Sequence, residues 1–278
     1  MPNNNMESYK KKTLDVLKYL IPFFSKHNID WFIACGSAIG AVRHKGMIPW
    51  DDDIDLYMTR DNYNRLFALR DEMLKDGFRF ITYDDAGYPN AFGKVMDNNT
   101  TVIETYRYPF NIGCNVDIFP LDLTSMGMMS FGNKWQAFRS VYSHYRCKVS
   151  RASLSGFKES PVDMLRVIGG KMVLLMQSRK KIIAKMREME QSWNKPSGDR
   201  YVSFTEAGMY MFPKEWFDDY VMMPFEDIEV RVPKHYDEYL TYIYSDYMTP
   251  PPVEERRGEG PHSKVYVNLD ENKMPFII

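Results

Sequence analysis

The sequence predicts an α/β (α+β) fold, a mixed sheet with flanking helices and a helical insertion. Three observations carry that expectation. Short apolar runs bounded by turn residues recur between residues 29 and 119, which suits strands. Apolar residues at three-to-four spacing flank that region, over 9–27 and again over 128–193, which suits helices. With 44% hydrophobic and 26% charged residues, the composition is that of an ordinary folded chain.

Each element has a local reason. Residues 9–27 set Leu14, Leu17, Ile21 and Phe24 on one helical face, with Pro22 bending its end. IDWFIA (29–34) reads as a buried strand running into Cys35-Gly36-Ser37, and AIGAVRH (38–44) as a small helix. Ile54 to Met58 forms a second apolar strand. Thr59 or Asp61 then caps a helix carrying Tyr63, Leu66, Phe67, Met73 and Leu74, closed by Gly77. Further strands are expected at 78–83, 91–96, 101–106 and 114–119. From 128 the chain turns helical, in two stretches separated by RASLSGFKESP. The second carries Leu165, Ile168, Met172, Leu175, Ile182, Met186 and Met189 as one stripe, read as core. After Lys195-Pro196 come a loop, a hairpin around 225–232 and a short helix, KHYDEYLTYIY, stopped by MTPPP.

Charge and cysteine usage exclude several classes. Lys+Arg number 36 against 37 Asp+Glu, a net charge of −1, which speaks against a nucleic-acid backbone as partner. The three cysteines are odd in number and widely spaced, so neither a disulfide scaffold nor a thiolate zinc site is expected. The N-terminal MPNNNMESYKKKTL lacks an apolar signal core, and the most hydrophobic segment, Val162 to Met176, is broken by Asp163, Arg166 and Lys171. The expected location is cytoplasmic, with peripheral contact at the inner face of the membrane left open.

The chemistry concentrates in PWDDDIDLYM, residues 49–58. Four aspartates in five positions repel one another and call for a cation. In an extended strand Asp51, Asp53 and Asp55 share a face, opposite Asp52 and Ile54. Such a set of hard oxygens suits Mg²⁺ or Mn²⁺. An EF-hand loop fails, because Leu56 and Asn62 stand where Gly and Glu are required. A glycosyltransferase-type D-x-D remains open on those letters alone. A nucleotidyltransferase-type site fits best: Gly36-Ser37 precedes, Asp53-Ile54-Asp55 follows, and Asp117 stands alone among Val116, Ile118 and Phe119. In that reading Gly36 and Ser37 meet phosphate, Asp53, Asp55 and Asp117 hold metal, and Arg43, Lys45 and Lys94 are cations within reach of phosphate.

With these residues assembled, the chain resembles the LicD family of phosphocholine-type transferases. The resemblance lies in ACGSAIGAVRHKGMIPWDDDIDLYMTRDNY (34–63), AFGKVMDNNTTVIE (91–104), GCNVDIFPLD (113–122), FPKEWF (212–217) and VPKHYDEYLTYIYSDYMTPPP (232–252), followed by His262. It implies a nucleotidyltransferase-like fold. Residues 125–195 carry no family motif and read as a helical insertion, which leaves a catalytic core over 1–124 and residues 196–278 to complete the same domain. The resemblance also implies transfer of a phospho-alcohol from a CDP-linked donor to a sugar hydroxyl of a cell-surface glycan or lipid-linked precursor, with release of CMP. By motif, Asp53, Asp55 and Asp117 take the metal positions and Gly36 and Ser37 the donor phosphates, with Asp51 in the same acidic run. Transfer of the nucleotide itself to a small acceptor, a D-x-D glycosyltransferase, and a non-catalytic glycan- or nucleotide-binding module are the alternatives. Choline would need an aromatic cage, for which Trp50, Tyr88, Tyr106, Tyr108 and Trp216 are candidates. Ribitol or glycerol would need polar groups instead. The tail from Pro250 offers Arg256 and His262 to phosphate.

Overall fold

In the computed structural model the described residues are 3–151, 158, 160–173, 175, 177–195, 197–205, 208–256 and 264–273. Helix α1 (Asn3–Lys26) starts before its expected position and keeps Pro22 inside, burying Leu14, Leu17, Leu20 and Phe24 against the sheet. The predicted strand at 29–34 shortens to β1 (Phe32–Ile33), followed by helix α2 (Cys35–Ile39) and a π-helical turn at Gly40–His44. Strand β2 (Asp55–Thr59) leads into α3 (Arg60–Ala68), which Thr59 caps by accepting from the Asn62 backbone N–H. The single helix expected to Gly77 breaks at Leu69 and resumes as α4 (Arg70–Lys75).

Strands β3 (Phe78–Ile81), β4 (Gly93–Asp97), β5 (Thr101–Ile103) and β6 (Asn115–Thr124) follow. Strand β6 runs five residues past its expected end, through Pro120. Its edge toward β4 is paired over 115–118, and a later strand, β7 (Arg200–Val202), pairs it over 122–124. Pro120, which has no N–H to donate, falls between those two ladders. The main sheet runs β1-β2-β6-β4-β3, extended by β7 and β8 (Met211–Pro213), and only β2 and β6 run parallel. The sequence showed β7 and β8 only as a loop, because three-residue strands carry no readable alternation. The C-terminal hairpin is longer than expected, β9 (Tyr220–Phe225) and β10 (Ile228–Pro233), turning at Glu226 with φ 56°. Helix α8 (Tyr236–Tyr244) follows, and β11 (Tyr266–Asn268) pairs with β5.

Between β6 and β7 the described residues include helices α5 (Met128–Val149), α6 (Pro161–Val173) and α7 (Arg179–Trp193). Phe131, Phe138, Tyr145, Ile182, Met186 and Trp193 form a second core there with Val202 and Phe204. The stripe read as core therefore divides: Ile182, Met186 and Met189 are buried, whereas Leu165, Ile168, Met172 and Leu175 are exposed. Periodicity reveals that a face is apolar, not what covers it. Among the described residues no helix is long and apolar enough to cross a membrane.

Candidate active site

The parallel pairing of β2 with β6 sets Asp55 opposite Asp117, and the antiparallel pairing of β6 with β4 sets Lys94 opposite Asp117. Residues directly opposite in a sheet share a face, so the three side chains line up across three strands. Lys94 Nζ donates to Asp117 Oδ1 at 2.5 Å and to Asn115 Oδ1 at 3.2 Å. The backbone around these acids is fixed: Asp55 N–H donates to Ser37 Oγ at 3.0 Å, Ala34 N–H to the Asp55 carbonyl at 2.8 Å, and Asp117 N–H to the Ile54 carbonyl at 2.8 Å. Ser37 thus positions the first strand residue while its own O–H stays available to donate.

Residues 51–54 are not strand, so the expected alternation of faces does not apply to them. Instead, carboxylate oxygens of Asp51, Asp52 and Asp53 lie within 4.8 Å of one another. Asp53 is the electrical centre, acting on Asp51, Asp55, Asp117, Lys94 and Lys10. Burial, then the charge of Asp53, pushes the Asp51 carboxyl up to about 7. Burial raises Asp55 well above the usual carboxylate range, with Asp53, Asp117 and Asp51 adding to it and Lys94 opposing. Burial also lifts Asp117 to about 6, although Lys94 pulls it back. Lys94 itself is raised, because Asp117 and Glu104 outweigh the cost of burying its charge.

Gly36 answers a need of this cluster: a Cβ there would stand 2.8 Å from Asp51 Oδ2. The preceding Cys35 takes φ 49° and donates its N–H to Tyr239 Oη at 2.9 Å, bracing the turn from α8. Two cations that sequence reasoning missed close the acidic loop. Lys264, on the approach to β11, pairs with Asp52 and lies over the Tyr9 ring, and Lys10 of α1 donates to the carbonyls of Ile48 and Pro49 at 3.0 and 2.8 Å.

Residues 28–158 match the family model described as LicD/FKTN/FKRP, nucleotidyltransferase domain. The chain is 26% identical over 271 residues to the lipopolysaccharide cholinephosphotransferase LicD of Haemophilus influenzae, covering 88% of this chain and 91% of that protein. An uncharacterized protein of Rickettsia typhi is 25% identical over 48% of this chain and 50% of its own length. Another, from Rickettsia prowazekii, is 34% identical over 22% of this chain and 23% of its own. The matched residues contain Asp51, Asp52, Asp53, Asp55, Asp117 and Lys94, while Lys264 and Arg256 lie beyond them.

The remaining predicted residues divide. Arg43 and Arg256 both lie over the Trp50 ring, at 6.0 and 4.5 Å from its centroid, and His44 meets that ring edge-on. Among the described residues neither arginine has a carboxylate partner in an ion pair; Arg43 donates to the Tyr247 carbonyl and Arg256 to the Pro251 carbonyl. Burial and the proximity of Arg256 lower the pKa of Arg43. Lys94, expected at phosphate, is buried on Asp117 instead, and Lys45 turns its ammonium to the Val42 carbonyl. His262 lies outside the described residues. The five aromatics are engaged separately: Tyr88 is buried and donates to the Phe92 carbonyl, Tyr108 lies beneath Arg107 and Arg146, and Trp216 packs on Phe212 and Tyr242. Tyr106 is half-buried and Trp50 carries the two guanidiniums.

The donor set fits a divalent cation. Several carboxylates share a partly buried space whose mutual repulsion raises their proton affinity, and hard oxygens are what Mg²⁺ or Mn²⁺ binds.

Proposed function

We propose that this chain is a metal-dependent phosphotransferase that moves a phospho-alcohol, such as phosphocholine, from a CDP-linked donor to a sugar hydroxyl of a cell-surface glycan or its precursor, releasing CMP. The observation that carries the reading is the facing of Asp55 and Asp117 on adjacent parallel strands inside the stretch that matches the LicD family model. Asp53, Asp55 and Asp117 would hold Mg²⁺ or Mn²⁺, with Asp51 as a further ligand or neighbour; the ion would neutralise charge on the diphosphate as CMP departs.

The chain's own groups do the rest. Lys94 holds Oδ1 of Asp117, which fixes the carboxylate. Arg43 and Arg256 supply two guanidiniums for phosphate oxygens of the donor. Gly36 keeps the space in which Asp51 sits, and Ser37 offers an O–H to phosphate while bracing Asp55. The proton of the attacking hydroxyl would pass to a carboxylate of this cluster that the cation leaves unengaged. Use of a nucleotide-linked donor fits a cytoplasmic location at the membrane face.

Incubation with CDP-choline, CDP-glycerol, CDP-ribitol, CTP or UDP-sugars plus Mg²⁺ and a glycan acceptor, followed by mass spectrometry, tests the proposal. CMP should appear with one of the CDP-alcohols. Pyrophosphate released from CTP, or UDP from a sugar nucleotide, would overturn it in favour of nucleotidyl or glycosyl transfer.

A further inference from the structure

Helix α6 is apolar on two opposed faces. One face is docked on the protein: Met164 and Val167 are buried, and Gly170 lies against the Sγ of Cys147 on α5. The other face points outward, with Val162, Leu165 and Met172 exposed by 59%, 63% and 66%, joined by Ile168 and, just past the helix, by Leu175. At about 100° per residue, Pro161, Val162, Leu165, Ile168 and Met172 occupy one continuous arc of about 120°. Arg166 borders that arc on one side, whereas Lys171 falls on the docked side, half-buried between Met164 and Val167.

The surroundings are strongly charged. Residues 125–195 hold fourteen Lys+Arg and four Asp+Glu, a net +10, which leaves −11 for the remainder of the chain. We infer that the outward face of α6 is a membrane-docking surface, which lays its apolar arc into the interface of a bilayer bearing anionic headgroups, drawn there by Arg166 and the basic excess of residues 125–195. The pattern is that of an interfacial helix, apolar on its outward face within a basic segment. A second copy of the chain fits poorly, since it would set two like-charged insertions against each other. A nucleic-acid phosphate backbone fits poorly too, since the centre of the face is apolar. The surface stands independently of the proposed reaction, because lipid binding requires neither donor nor metal.

Co-sedimentation of the full chain with vesicles tests this, using phosphatidylcholine alone and mixtures with phosphatidylglycerol. The chain should bind the anionic vesicles, bind phosphatidylcholine much more weakly, and be released by salt. Partition of a Leu165→Glu/Met172→Glu variant should fall by about tenfold or more, given the apolar area withdrawn from the interface. An Arg166→Glu variant should weaken the preference for anionic lipid. Leu165 and Met172 are exposed, so unchanged circular dichroism and melting temperature are expected of their double variant. Equal binding of wild type and the Leu165→Glu/Met172→Glu variant, no binding to any vesicle, or a solution dimer dissolved by Leu165→Glu would each overturn the inference.

Discussion

Asp51, Asp53, Asp55 and Asp117 are held together at a cost that only a cation returns, and that cost can be read from pH. Asp51 is faced by Asp52 and Asp53 in its own loop and by Lys10 from α1. Below the ordinary carboxylate pKa of about 4, folded and unfolded chains both carry its proton. As pH rises, the unfolded chain releases that proton first, while the folded chain retains it to about 7. The folded state then binds more protons, so stability falls between those limits and stays lower above them. Asp51→Asn removes the penalty. In the metal-free protein its melting temperature should match wild type near pH 4 and exceed it at pH 7.5, by about 1 kcal/mol or more, roughly 2–4 °C for a chain of this size. A constant offset across that range would refute the assigned cause. Asp55→Asn should likewise keep the fold while reducing turnover below detection. Asp117→Asn should abolish turnover at some cost in stability, because it takes the carboxylate from buried Lys94. Asp53→Asn should lose the thermal stabilisation that Mg²⁺ confers on wild type. Gly36→Ala acts by geometry rather than charge. Its Cβ displaces Asp51, so activity should fall with little change in melting temperature.

The strands and helices are locked by a second, unrelated charge network. Arg60 of α3 forms a two-pronged contact with Asp122 of β6, both at 2.8 Å, and Glu190 of α7 lies 3.6 Å from the same guanidinium. Tyr83 Oη donates to Glu190 at 2.9 Å, and Arg179 donates to the carbonyls of Tyr83, Asp84 and Asp85. Burial opposes the Arg60 charge, but Asp122 and Glu190 outweigh it and raise its pKa. Deleting one partner of such a buried set leaves an uncompensated charge, so Asp122→Ala should cost about 3–5 kcal/mol in urea unfolding. The double change Asp122→Leu/Arg60→Met should cost less, and equal losses would argue that packing dominates. This network was not legible in the sequence, because Arg60, Asp122 and Glu190 become neighbours only when β6 reaches α7. Lys264 escaped for the same reason, standing 212 residues from its partner Asp52. Asp55 and Asp117 were legible because each acid stands in an apolar strand, where burying it without purpose is costly. Lys94 was identified by residue but assigned to phosphate. Only the strand register shows that Asp117 claims it.

At the scale of the whole chain, the bland net charge of −1 separates into +10 over residues 125–195 and −11 elsewhere. Those two halves should respond to salt in opposite senses. The site sits in the acidic part, and a CDP-linked donor is itself an anion, so its approach is opposed at low ionic strength. At 0.15 M salt the screening length is about 8 Å, short enough to remove most of that long-range repulsion while leaving direct contacts to Arg43 and Arg256 largely intact. With a water-soluble acceptor and saturating Mg²⁺, KM for the donor should therefore hold steady or fall as salt rises from low to physiological strength. With an acceptor embedded in anionic vesicles, the same salt weakens attachment of the basic insertion, so turnover per enzyme should fall. Reversing Arg166 to Glu should diminish the second dependence and leave the first unchanged, since α6 contributes nothing to the carboxylate site. Salt curves of the same sign for both acceptors would mean that the charge division has no functional consequence.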